Sequence, residues 1–263
     1  MPPAYVKAYV KRGKTDAADA EAIAAAVTRP TMRFVPIKSK EQQAALMPHK
    51  TRDLLIRQRT MLINARRSHL GEYGIVAARG PAGVRTALAS IEKVSKELPV
   101  SAVAALQALA RQLASLDDEI AESERHILAW HRSNENSRRL ATVSGIGHIT
   151  ATAIAATVPD PGQFRSGRQF AALLGLTPRA NSSGGKERQG GISRAGDGYI
   201  RRLLVVGATA VLRFARQRGG GVWITALIAR KKSKVAAVAL ANKTARIAWA
   251  LMTHGEVFAP RAT

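Results

Sequence analysis

Apolar residues recur at three- and four-residue steps from Ala102 to Trp130, where Leu106, Leu109, Leu113, Leu116, Ile120, Ile127 and Trp130 form one stripe. That heptad-like spacing predicts a long helix with a seam that faces a partner, interrupted by Ser123 and Glu124. The pattern from Glu41 to about Tyr73 is helical as well. The simplest arrangement of the two is an antiparallel helical hairpin or coiled coil, serving as a scaffold or a dimerisation surface. The Gly- and Pro-bearing stretch "ARGPAGVR" breaks the pattern between them, with a further helical stretch around Ala87 to Glu97 in the link.

The amino end reads differently. "AYVKAYVKRG" alternates weakly and predicts a strand or extended segment; "KTDAADAEAIAAAV" then predicts an Ala-rich helix with Thr15 or Asp16 as its cap. Pro30 ends that helix, and "MRFVPIKS" reads as an edge strand or extended linker because of Pro36. After Leu140 short helical stretches alternate with glycines. "LATVSGIGHITATAIAATV" flanks a Gly145-Ile146-Gly147 turn, a helix-hairpin-helix-like arrangement, and two more helical patterns run over Gly198–Arg216 and Val235–Met252. The chain therefore divides into residues 1–40, 41–135 and 136–263, mainly α with a small α/β piece at the amino end.

Charge narrows the function. The 263 residues hold 41 Lys and Arg against 18 Asp and Glu, a formal net charge of +23, which predicts a polyanionic partner such as nucleic acid. A membrane span is not expected: the longest apolar run, Leu203 to Leu212, is about half of the ~20 residues required, and Arg201, Arg202 and Arg213 bracket it. The chain has no cysteine, so disulfides and thiolate metal sites are excluded, and cytoplasm is the expected location.

Three places could carry chemistry. Asp16 and Asp19, three apart at a helix start, share a face and could hold Mg²⁺, or could simply complement the helix dipole. Gly145 and Gly147 leave backbone N–H groups at a helix start, where a phosphate can sit, or merely permit a tight corner. The stretch "NSSGGKERQGG", Asn181 to Gly191, surrounds Ser182 and Ser183 with Lys186 and Arg188 and is followed by Arg194, Arg201 and Arg202. It reads as a basic phosphate-facing loop or as the seat of a nucleophile. His49, His69, His126, His131, His148 and His254 are scattered without metal-ligand spacing and receive no role.

Taken in order, "KTDAADAEAIA", "MRFVPIKSKEQQ", "TVSGIGHITA", "FRSGRQFAALLGLTPR", "SSGGKERQGGISRAGDGYIRRLL" and "ALANKTARIAWALM" resemble the bacterial insertion-sequence one-ten transposase family, especially its one-one-one-one subgroup. The resemblance runs over essentially the whole chain. It implies a RuvC-like domain with an Asp-Glu-Asp-Asp tetrad for Mg²⁺, a coiled-coil connection and a carboxy-terminal domain with a serine nucleophile. On the Lys-x-Asp-x-x-Asp-Ala motif the metal role falls to Asp16 and Asp19, between Lys14 and Ala20; on the Ser-Gly motif the nucleophile is Ser183, with Ser182 the near alternative. It further implies DNA strand exchange through a serine-DNA intermediate, and a bridge RNA that chooses target and donor by base pairing. Only 15 residues precede Asp16, and the tetrad's first Asp and its Glu are not identified among them, so the expectation is an amino-terminally truncated transposase. A non-catalytic nucleic-acid-binding remnant that dimerises through the hairpin and a site-specific DNA invertase of the same family are the competing readings.

Overall fold

The computed structural model describes residues 1, 3–10, 15–32, 34, 37–76, 98–186 and 188–259. It resolves into two compact units, Met1–Lys40 and Glu41–Thr263.

The first unit is helical in all its described elements. α1 (Pro3–Val6) runs into a 3-10 turn (Lys7–Tyr9), and α2 spans Asp16–Val27. Thr15 caps α2, its Oγ1 accepting from the Ala18 N–H at 3.2 Å. Ala22 and Ala26 are buried, and small side chains at this four-residue step allow α2 to lie close against the 3-10 turn. The strand or extended segment expected in "AYVKAYVKRG" is instead helix and turn through Tyr9; of the edge strand or extended linker expected in "MRFVPIKS", the described Met32, Phe34 and Ile37–Ser39 form no strand, which leaves the linker. The physical reason is pairing. A strand needs a neighbour for its N–H and C=O groups; with none among the described residues, these groups bond locally, as Val10 N–H does to the Lys7 carbonyl at 3.3 Å. The small α/β piece is thus α where it is described. Lys11–Lys14, Arg33, Val35 and Pro36 lie outside the described residues.

In the second unit two long helices, α3 (Lys40–Gly71) and α4 (Val100–Ser133), run antiparallel. Their cross-links set the direction: Arg52 meets Glu124 at 2.7 Å, Arg59 meets Asp117 at 2.8 Å, and Leu70 is buried with Leu106. Rising numbers on one helix match falling numbers on the other. The α4 seam buries Leu106, Leu113, Leu116, Ile120 and Ile127, with Leu109 and Trp130 half-buried. Ser123 is buried on the seam with them, while Glu124 reaches across to Arg52. The link, with "ARGPAGVR" and the helix expected over Ala87 to Glu97, lies outside the described residues.

The remaining elements enclose the main core: α5 (Glu135–Leu140), α6 (His148–Thr157), α7 (Gly167–Leu173), strands β1 (Pro178–Ala180) and β2 (Gln189–Ile192), α8 (Gly198–Arg218), α9 (Val222–Arg230) and α10 (Ser233–His254). Helix α6 buries Thr150 to Ile154 and Ala156 between α4, α5 and α8. Helix α10 packs on α7 and α8 through an alanine-rich face of Ala237, Ala241, Ala245 and Ala248. Phe170 and Ile154 are fully buried beside them, so truncating Phe170 to Ala costs about 3–5 kcal/mol. Two features go beyond the sequence expectation: α9 occupies the interval between the last two long helices, and the glycine-rich stretch after α7 is a β-hairpin. No helix among the described residues is long and apolar enough to cross a membrane.

Candidate nucleic-acid interface and its serine hairpin

β1 and β2 are antiparallel, with Pro178 opposite Ile192, Ala180 opposite Gln189 and an irregularity in register between them. Beyond the strands the ladder continues: Asn181 N–H donates to the Arg188 carbonyl at 2.8 Å, and Lys186 N–H donates to the Ser183 carbonyl at 3.1 Å. Gly184 and Gly185 are therefore the two central residues of a tight hairpin turn. Both have positive φ, 56° and 74°, as a primed turn matched to strand twist requires, and glycine adopts it without steric cost. The glycines that looked like a loop or a phosphate cradle close a hairpin tip. A Gly-Gly pair between two short runs is a sequence signal for this turn, but the strands are exposed and lack apolar alternation.

The hairpin is rooted firmly at its base. Ser193 N–H donates to the Thr177 carbonyl at 2.8 Å, and Arg194 N–H to the Gly175 carbonyl at 3.1 Å. Arg179 Nη2 donates to the Ser193 carbonyl at 3.1 Å. Gly196 passes so near α7 that an added Cβ would lie 1.8 Å from the Leu173 carbonyl oxygen. Near the tip, Asn181, Ser183, Lys186, Arg188, Gln189 and Gly190 line an open cavity of about 460 Å³. Ser183, Lys186 and Arg188 share that lining. Ser182 is not part of it, in keeping with the opposite facing of successive side chains along an extended chain. The described lining offers one hydroxyl, two cations and two amides, a donor-rich set suited to phosphate oxygens.

The other basic residues differ in what they contact among the described residues. Arg194 is exposed in a left-handed conformation, φ 56°. Arg201 is half-buried, and its Nη1 donates to the carbonyls of Leu174 at 2.9 Å and Ala195 at 2.8 Å, tying the start of α8 to the hairpin base. Arg202 is exposed but pairs with Asp53 of α3 and lies over the Tyr199 ring, 5.3 Å from its centroid. The two glycines also differ. Gly145, φ 89°, faces Gly207 of α8, where a Cβ on Gly207 would lie 1.9 Å from the Gly145 oxygen. Gly147 caps α6, is exposed and has open space at its Cβ position.

Asp16 and Asp19 are exposed in the first turn of α2, and Lys14 of their motif lies outside the described residues. Their chemistry fits Mg²⁺, which takes one or two carboxylates and fills its octahedron with waters and phosphate oxygens. Among the described residues no group of three or more His, Cys, Asp or Glu is placed to hold a metal.

One histidine has a role that its scattered sequence position did not reveal. His49 is 2% exposed in the turn of α3 after Pro48; its Nε2 is 3.0 Å from Thr152 Oγ1 on α6, and its Nδ1 is 3.1 Å from the Tyr199 hydroxyl on α8. Thr152 directs its only hydroxyl hydrogen to the His148 carbonyl at 2.7 Å. His49 Nε2–H then donates to Thr152, and Nδ1 accepts from Tyr199. Burial, reinforced by nearby Arg52 and His148, lowers the His49 pKa from 6.5 to about 4, so the ring is neutral at pH 7. Burial likewise raises the Tyr199 pKa and keeps its hydroxyl proton in place.

Comparison with known proteins identifies relatives of the chain. Residues 137–220 match the family described as Transposase IS116/IS110/IS902, and residues 1–75 match the transposase family DEDD_Tnp_IS110. The protein named "Putative transposase y4pF/y4sB" of Sinorhizobium fredii is 48% identical over 97% of this chain and 67% of its own length. The "Probable family 20 transposase" of Pseudomonas aeruginosa is 45% identical over 98% and 78%, respectively. The "Transposase for insertion sequence element IS1111A" of Coxiella burnetii is 41% identical over 97% and 71%. With such identity across nearly the whole chain, and with two of its regions matching transposase family models, this chain belongs to the IS110/IS116/IS902 family of insertion-sequence transposases.

Proposed function

We propose that the chain exchanges DNA strands with Ser183 as its nucleophile. The observation that carries this reading is the cavity at the hairpin tip, where Ser183 stands with Lys186 and Arg188. The Ser183 hydroxyl attacks a DNA phosphorus; a Ser–O–P bond forms, the P–O bond to one deoxyribose oxygen breaks, and that oxygen leaves with a proton. Attack by the hydroxyl of another strand reverses these events and frees the serine. Lys186 and Arg188 neutralise charge that builds on the non-bridging oxygens, which favours the transition state over the ground state. Arg194 and the α6 start at Gly147 hold flanking phosphates, while Arg201 supports the hairpin from beneath.

Asp16 and Asp19 would hold Mg²⁺, which would neutralise phosphate charge when bound. Their RuvC-like assignment rests on the Lys-x-Asp-x-x-Asp-Ala motif. The second nucleic-acid partner is a bridge RNA, to which sequence choice is delegated, and α3 with α4 provides the surface through which two copies associate. The +23 charge supports two polyanionic partners on one chain.

The test is a strand-exchange reaction with matched DNA ends, bridge RNA and Mg²⁺, read as a covalent protein-DNA adduct. Wild-type and Ser182→Ala protein should form it and Ser183→Ala should not. An adduct that persists in Ser183→Ala removes that residue from the role. Salt-sensitive DNA binding without any adduct in the wild type would leave the chain a binding protein only.

A further inference from the structure

A second basic cleft lies away from the serine hairpin, between α7 and α10. Ser166 caps α7, its Oγ accepting from Gln169 N–H at 3.3 Å, and Gly167 follows. An added Cβ at Gly167 would lie 3.0 Å from the Arg246 carbonyl oxygen and 3.1 Å from Trp249 Cε3, so the glycine brings α7 directly onto α10. Trp249 Nε1–H donates to the Pro161 carbonyl at 3.1 Å, which fixes the indole. The result is an open cleft of about 540 Å³ lined by Ser166, Gly167, Arg168, Arg246, Trp249 and Ala250.

Arg168 and Arg246 are exposed, and neither guanidinium has an ion-pair partner among the described residues. Across residues 136–263, 20 Lys and Arg face only four Asp and Glu, so this part of the chain holds few carboxylates that could satisfy them. A half-buried indole held in place in one lining with two exposed arginines matches the chemistry of an unpaired nucleotide, which offers a base face to an aromatic ring and phosphates to basic side chains. Paired bases are stacked on their neighbours and have no face to offer. The cavity falls in the range of roughly 300–1,000 Å³ typical of small-ligand sites.

We propose that the α7–α10 cleft binds an unpaired nucleotide of a nucleic-acid strand, with its base against Trp249 and its adjoining phosphates on Arg168 and Arg246. The proposal deepens the reading of the chain as a nucleic-acid enzyme but uses none of the hairpin residues. It gives the protein a place to hold a strand that is opened during exchange, or an unpaired segment of RNA, apart from the reacting phosphate.

The test is photo-crosslinking of the full chain to 5-iodouracil oligonucleotides, as single-stranded DNA, single-stranded RNA and a fully paired duplex, with the crosslinked peptide mapped by mass spectrometry. The single strands should crosslink at Trp249 and the duplex should not; the DNA and RNA arms identify the strand. Trp249→Leu should weaken single-strand binding about tenfold or more, whereas Trp249→Phe, which keeps an aromatic face, should stay within about threefold. Both variants lose the bond to Pro161, so equal losses would indicate a structural role and overturn the proposal. Arg168→Ala with Arg246→Ala should lower the slope of log K against log salt by roughly 1.4 on single strands. The absence of a Trp249 crosslink with either single strand, or an equal one with the duplex, also overturns it. Because Ser183→Ala leaves this cleft untouched, loss of the serine adduct and loss of the crosslink are independent outcomes.

Discussion

Two pairs of glycines in the carboxy-terminal half do opposite work. Gly145 and Gly207 bring the backbone of the α5–α6 turn against α8, with no room for a methyl group at Gly207. Gly184 and Gly185 turn the exposed hairpin tip and have nothing within 4 Å of their Cβ positions. The first pair serves approach and the second serves dihedral freedom. The arginines follow the same division: Arg201 and Arg202, near the helical body, are engaged with carbonyls and with Asp53, whereas Lys186 and Arg188 line an open cavity. Basic residues close together in the chain are thus sorted by packing into supports and candidate ligand contacts.

The strongest way to break this comparison is Gly207→Ala. Its methyl would lie 1.9 Å from the Gly145 oxygen, so the α5–α6 turn must move, and we expect a loss of ~3 kcal/mol or more in urea unfolding. Gly184→Ala meets no neighbour and should lose only about 1–2 kcal/mol, through its left-handed conformation. Equal losses at the two positions would refute the distinction.

The helical body should also carry a pH dependence. His49 binds a proton with a pKa of 6.5 when unfolded and about 4 when folded, so between those values the unfolded chain holds more protons. Its contribution is complete above about pH 6.5 and declines as pH falls towards 4, by roughly 3 kcal/mol in total. Unfolding midpoints at pH 7 and pH 4.5 should therefore differ less in His49→Gln than in the wild type. An identical pH dependence would detach His49 from the effect.

Smaller effects sharpen the arginine division. Arg201→Ala leaves two carbonyls without their donor and should cost roughly 2 kcal/mol of stability. It should barely change the salt dependence of duplex binding. Lys186→Ala with Arg188→Ala should do the reverse: stability within about 0.5 kcal/mol of wild type, and a log K against log salt slope lower by roughly 1.8. An unchanged slope would mean that the hairpin cations do not touch phosphate.

The helices were readable because their signals are local. The α4 stripe repeats every three or four residues, and the start of α2 follows from Thr15 followed by an alanine-rich run. The hairpin was missed because its strands are three and four residues long and exposed, so they lack the alternation that marks a half-buried strand. Weak alternation at the amino end suggests a strand or extended segment, but no described neighbour completes a ladder there. At the candidate site, the serine and its basic neighbours were visible as residue types. Which cations pair with other described residues was not, since the Arg202 partner Asp53 lies 149 positions away.

The sequence by itself determined the long amphipathic helices, the basic charge and, through the order of its motifs, the family. These depend on neighbours within a few residues or on composition. Tertiary structure alone decided that Gly145 meets Gly207, that His49 is a neutral link to Thr152 and Tyr199, and that Gly167 opens a cleft beside Trp249. Each of those arrangements joins residues 62 to 150 positions apart, and only the packed core brings them within contact distance.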